Sequence, residues 1–169
     1  MKSSIIKTGT MLAGFLLAAC LSTHAEVKLP AIFSDGMVMQ QQTNANLWGT
    51  ATPHKKVTVT TSWNEKQYAA TADKNGAWKL TVATPEAGGP YTVTFDDGTK
   101  KTLNNILIGE LWLCSGQSNM EMPMKGFKNQ PVENANMDIL HSKNPQIRLF
   151  TVKRTSTFTP VSYTHLRAH

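Results

Sequence analysis

The residues whose types and spacing could do chemistry are concentrated in Gly109-Glu110-Leu111-Trp112-Leu113-Cys114-Ser115-Gly116-Gln117-Ser118-Asn119-Met120. An apolar run from Ile106 to Cys114 is interrupted only by Gly109 and Glu110. A short apolar run of this kind reads as a strand buried on both faces, as in a parallel sheet. The chain then turns through Ser115-Gly116-Gln117 and presents Ser118, and Pro123 limits any following helix to a first turn or a loop. Strand, tight turn, serine and helix is a layout that exposes a nucleophilic hydroxyl. A serine hydroxyl is a weak nucleophile, so it must be held on a rigid support within reach of a base and of oxyanion donors. The same spacing also fits a buried strand and a polar turn with Ser118 as a helix N-cap. The second glycine of G-x-S-x-G is absent from Gly116-Gln117-Ser118-Asn119.

Partners for such a serine are scarce. Asp138-Ile139-Leu140-His141 has Asp-x-x-His spacing, but it follows Ser118 closely and falls on the first helix-compatible stretch. It reads as a solvated helix end, with His141 near the C-terminus of the dipole. His24 lies in the leader, His54 in a turn, and His165 and His169 in the tail. None clusters with carboxylates or thiols at ligand spacing, so neither a metal nor a cofactor is implied. Cys114, in an apolar strand after Leu111-Trp112-Leu113, is expected to be buried for packing, since a catalytic thiol needs an electropositive, partly exposed setting.

The elements that must position these residues fall into two groups. Residues 26–106 read as all-β, with strands at Ala45–Ala51, Lys56–Ser62, Gln67–Ala72, Ala77–Ala83 and Tyr91–Phe95. Turn signals separate them, and Asn75-Gly76 and Asp97-Gly98 are the strongest hairpin signals. Val57, Val59 and Thr61 alternate with Thr58, Thr60 and Ser62, which predicts one packed and one wet face in a small β-sandwich. Trp48, Trp63 and Trp78 offer two roles, sugar-binding platforms or core filling, and the second is the expectation. Residues 107–160 read as the opening of an α/β unit: a strand at Glu110–Cys114, a helix within Asn129–Leu140 with Val132, Ala135, Ile139 and Leu140 inward, and a strand at Ile147–Val152. One such unit cannot bury both faces of its own sheet, so further strands are expected elsewhere.

The first 25 residues read as a targeting segment. Lys2 and Lys7 precede an apolar stretch, Met11 to Ala19, too short to span a bilayer. Cleavage after Thr23-His24-Ala25 and lipidation of Cys20 in Leu17-Ala18-Ala19-Cys20 both fit, so the only membrane partner expected is a lipid anchor at Cys20. With at most Cys114 left as a free thiol, no disulfide framework exists. The chain carries 17 Lys+Arg against 11 Asp+Glu. Without Lys2, Lys7 and the tail's Arg167, 14 basic residues face 11 acidic ones, and no basic stripe with interleaved aromatics supports a nucleic-acid partner.

The block Trp112-Leu113-Cys114-Ser115-Gly116-Gln117-Ser118-Asn119-Met120-Glu121-Met122-Pro123 resembles the nucleophile block of the bacterial sialate O-acetylesterase family, a branch of the SGNH (GDSL-like) hydrolases. Val27-Lys28-Leu29-Pro30-Ala31-Ile32-Phe33-Ser34-Asp35-Gly36-Met37-Val38-Met39-Gln40-Gln41 resembles the family's mature N-terminus, and Gly126-Phe127 and Ile147-Arg148-Leu149-Phe150-Thr151-Val152 also fit. The resemblance covers Val27 to Arg154 in order. It implies a multi-domain chain: an N-terminal all-β sandwich followed by the truncated start of an α/β three-layer SGNH hydrolase domain. It implies Ser118 as the nucleophile, with its own N–H as one oxyanion donor. The general base, its carboxylate and further donors are expected in later blocks absent here. The implied substrate is an acetylated glycan or sialic acid, with acetylated xylan as the alternative. A non-catalytic carbohydrate-binding surface lipoprotein is the alternative from another class. Residues 161–169 do not continue the pattern and read as a translated sequencing-adapter scar.

Overall fold

The computed structural model describes residues 26–152 together with Arg167 and Ala168; the targeting segment lies outside the described residues. Seven strands make up most of it: β1 (Val38–Gln40), β2 (Asn44–Thr50), β3 (Lys56–Thr61), β4 (Gln67–Thr71), β5 (Ala77–Ala83), β6 (Gly88–Asp96) and β7 (Lys100–Gly109). They form a five-stranded sheet in the order β1-β7-β6-β3-β4 and a two-stranded sheet of β2 and β5. Both sheets contribute to one core: Leu47 from β2, Trp78, Leu80 and Val82 from β5, Val57 and Val59 from β3, Val93 and Phe95 from β6, and Leu103, Ile106 and Ile108 from β7. The alternation expected in β3 is present, with Val57, Val59 and Thr61 buried and Thr58 and Thr60 on the wetter face.

The two hairpin signals have different outcomes. Asp97-Gly98 joins β6 to β7, which pair antiparallel as expected, and Asp96 and Asp97 accept hydrogen bonds from the amides of Gly98 and Thr99. Asn75-Gly76 makes a turn but not a hairpin. β4 pairs with β3, whereas β5 pairs with β2, so this turn carries the chain from one sheet to the other. Asp73 organises it, its Oδ1 accepting from the amides of Asn75 at 2.7 Å and Ala77 at 2.9 Å. Turn chemistry is local, whereas strand pairing depends on which apolar faces meet, and so the signal was right about the bend and silent about the partner.

β7 carries a bulge that alternation does not reveal. Tyr91 opposes Ile106 and Val93 opposes Leu103, so β7 holds one residue more than β6 between these pairs. Asn105 absorbs the excess with φ +58°, a left-handed value that asparagine tolerates. The bulge returns Ile106 and Ile108 to the core face after Leu103. β7 therefore runs past residue 106 to Gly109, and its last residues pair in parallel with β1, Val38 opposite Leu107 and Gln40 opposite Gly109.

Beyond Gly109 the expected α/β opening is not formed. Residues 110–117 have no regular structure, so the strand expected at Glu110–Cys114 is absent. Trp112 is 82% and Leu113 93% exposed. The expected helix is confined to α1 (Ala135–His141), with Asn134 in left-handed conformation as its N-cap. Ala135 is buried and Val132 half-buried, as expected, but Ile139 and Leu140 are exposed. The expected strand at Ile147–Val152 is reduced to β8 (Phe150–Thr151), which pairs antiparallel with β9 (Arg167–Ala168) and with no strand of the core. The physical reason is shared. A central strand needs ladder partners on both sides, and among the described residues none is offered to 110–114.

Candidate functional site

Ser118 opens a single turn of 3-10 helix, Ser118–Glu121, with Gln117 as its N-cap. Ser118 is therefore not itself the cap. The turn is closed by the Met120 amide donating to the Gln117 carbonyl at 3.0 Å and the Met122 amide to that of Asn119 at 3.4 Å. Ser118 is exposed. Gly116 lies close under this turn, since a Cβ there would meet Met120 Cγ at 2.8 Å.

Asp138 and His141 lie one turn apart on α1, both exposed, and no hydrogen bond joins them to each other or to Ser118. The structure does not assemble a base around Ser118 from these residues. Cys114 is a free, exposed thiol, a correction to the burial expected of it. Burial required the strand at 110–114, and without that strand the thiol has nothing to pack against.

The connection from β7 into this segment is built by side chains that sequence reasoning did not single out. The Gln41 amide donates to the Gly109 carbonyl at 2.8 Å and ends the β1–β7 ladder. From there the glutamine side chains continue the ladder. Gln40 Oε1 accepts from the Leu111 amide at 2.8 Å, and Gln40 Nε2 donates to Glu110 at 3.1 Å. Gln41 Nε2 donates to the other Glu110 oxygen at 2.6 Å, while Gln41 Oε1 accepts from the Ala87 amide at 2.9 Å. The bonds from Gln41 and then Gln40 hold the Glu110 carboxyl below its ordinary pKa, because both favour the ionised form. The signal was present in the Gln40-Gln41 pair, but its target lies seventy residues away along the chain and only the fold joins them.

The three tryptophans of the β module pack. Trp78 is 4% exposed against Phe95, Trp48 meets Phe33 edge-on at 4.5 Å, and Trp63 stands edge-on to Tyr91 at 5.7 Å. Trp63 Nε1 also donates to the Ala83 carbonyl at 3.0 Å.

The mostly β fold with its curled sheet has a counterpart in a solved carbohydrate acetylesterase. The fold superposes on the crystal structure of a carbohydrate acetylesterase from Xanthomonas citri with a TM-score of 0.74 at 26% identity, covering 85% of this chain and 32% of that one. The chain is 31% identical over 150 residues to the sialate O-acetylesterase of Mus musculus, covering 81% of this chain and 27% of the relative. It is 28% identical to that of Pongo abelii, covering 83% of this chain and 28% of the relative. No family model matches the chain. The chain is thus similar to sialate O-acetylesterases, and it spans about a quarter of the length of the curated relatives it matches.

Proposed function

We propose that this chain is the N-terminal part of an exported serine carbohydrate esterase that removes O-acetyl groups from sialic acid, with Ser118 as the nucleophile. Residues 26–109 are its β-sandwich, and the segment that follows opens an SGNH hydrolase domain completed by later strands. The observation that supports this most is the similarity to proteins named sialate O-acetylesterases, which covers 81% of this chain. The Xanthomonas citri acetylesterase supports the wider class of acetylated carbohydrates.

In this proposal the Ser118 hydroxyl attacks the acetyl carbonyl and the alcohol of the sugar leaves. Water then hydrolyses the acetyl-serine. The Ser118 N–H serves in this proposal as one donor to the carbonyl oxygen as it gains negative charge. The general base, its orienting carboxylate and the remaining donors belong to later parts of the chain, and Asp138 and His141 have no role in the reaction. Lys2, Lys7 and the apolar residues 11–19 support export. Among the described residues no helix is long and apolar enough to cross a membrane.

The test is acetate release by the chain extended to the full length of its relatives. Ser118→Ala is expected to lower the rate by a factor on the order of 10⁴–10⁶, while Asp138→Asn and His141→Ala change it little. Acetylated sialic acid and acetylated xylan assayed side by side decide the sugar. An active Ser118→Ala together with a dead His141→Ala would overturn the assignment.

A further inference from the structure

Arg148 lies thirty residues beyond Ser118, in a stretch whose neighbours Ile147 and Leu149 are exposed. Its own side chain is half-buried and turned back onto the β module. Nη1 donates to the Gly36 carbonyl at 2.7 Å and to the Asn105 carbonyl, and Nη2 donates to Asn105 Oδ1 at 3.0 Å. These acceptors are uncharged; among the described residues the one ion pair is Lys101 with Glu26.

The receiving rim is held in place by its own hydrogen bonds. Asp35 Oδ1 accepts from the Asn104 amide at 2.7 Å, the Gly36 amide donates to the Asn104 carbonyl at 3.0 Å, and the Leu107 amide donates to the Met37 carbonyl at 3.0 Å. The left-handed Asn105 at the bulge turns its carbonyl out of the β6–β7 ladder and beside that of Gly36. Three oxygens then converge on one planar fork, two on Nη1 and one on Nη2, so the acceptors are spread over two adjacent nitrogens as a guanidinium presents them.

We propose that this cradle of Gly36 and Asn105 is a guanidinium seat, and that Arg148 is a positioning residue that closes the Ser118 segment onto the β module. The Gln40–Gln41 clamp on Glu110 fastens the start of the segment, and Arg148 fastens its end. Both anchors lie on the rim formed by β1, β7 and the turn before β1. The β module therefore acts as a frame for residues 111–147. The consequence for catalysis rests on Ser118 being the nucleophile; the anchor itself does not, and its test uses no esterase assay, so the two can fail separately.

The full chain is treated with chymotrypsin under native conditions, and initial cleavage after Phe127 and Leu140, between the anchors, is followed by mass spectrometry. Cleavage of this kind tracks the population of opened segment. Arg148→Ala is expected to speed both cuts about tenfold, the loss of hydrogen bonds from a charged group, and Arg148→Lys nearly as much. Ethylguanidinium is expected to slow the cuts again in Arg148→Ala, whereas ethylammonium does not, with a small peptide substrate as the control for the protease itself. Asn105→Gly keeps the left-handed backbone and removes one acceptor, so it is expected to have a smaller effect and to add nothing to Arg148→Ala. An unchanged thermal midpoint of the β module shows that each variant is folded. Unchanged cleavage in Arg148→Ala, equal action of the two salts, or additive effects of Asn105→Gly and Arg148→Ala would overturn the proposal.

Discussion

Glu110 shows what one residue does at the junction between the β module and the serine segment. Its carboxylate accepts from Gln41 and Gln40, and both bonds lower its pKa. A depressed carboxylate pKa stabilises the folded state above the unfolded value, and that contribution is lost as pH falls through the folded value. The junction is therefore expected to loosen at acid pH and to hold at neutral pH. A carbon-detected NMR titration of Glu110 should give a midpoint below that of a free glutamate, and Gln41→Ala should move it upward more than Gln40→Ala. A midpoint that neither substitution moves would refute the clamp. Cys114 makes a second residue-scale test. As a free, exposed thiol, it should react with a maleimide in the folded chain as readily as a small thiol; protection until denaturant is added would show that the segment packs after all.

At the scale of elements, the sheet-crossing turn after β4 depends on Gly76. Its φ is +82°, and a Cβ there would stand 2.4 Å from the Ala51 carbonyl oxygen. The Gly76 carbonyl also accepts from the Ala51 amide at 2.8 Å, so the two segments cannot separate without losing that bond. Gly76→Ala should destabilise the β module by at least about 1–2 kcal/mol from left-handed strain alone, and more from the backbone clash. Urea unfolding followed by tryptophan fluorescence measures it; a loss near zero would mean that the turn relaxes freely. By contrast Gly109 has open space around it, and Gly109→Ala serves as the neutral control.

For the molecule as a whole, burial is divided unevenly. Among the described residues, all but one of the buried apolar residues belong to 26–109, Ala135 being the exception, while Leu111, Trp112, Leu113, Met124, Leu140 and Leu149 stand exposed. The β module, with a core from both sheets, is expected to unfold cooperatively. The region after it should bind a hydrophobic dye and promote association, because its apolar side chains have no cover. The chain as it stands is expected to show no acetyl-ester hydrolysis above background. Dye binding confined to residues 110–152, tested by ending the chain at Gly109, checks the first expectation; measurable turnover abolished by Ser118→Ala would contradict the second.

Much of the β module was legible in the residues themselves. The strand at Ala77–Ala83, the alternation through Val57 and Val59 and the Asp97-Gly98 hairpin all follow from side-chain period and turn chemistry, which act within a few residues. The Ser118 block was legible as a motif, through its residue types and its resemblance, and not through its geometry. Other features depended on contacts distant along the chain. The edge pairing of β1 with β7, the Gln40 and Gln41 clamp and the seat of Arg148 each join segments separated by some forty to more than a hundred residues. The run Ile106 to Cys114 shows the limit most clearly. Its apolar character reads as one buried strand, but only Ile106 to Gly109 finds a partner strand, in β1 and β6, and the side chains of Leu111, Trp112 and Leu113 are left in solvent. Hydrophobicity in sequence states a need for burial, and only a neighbouring strand in the tertiary structure can meet it.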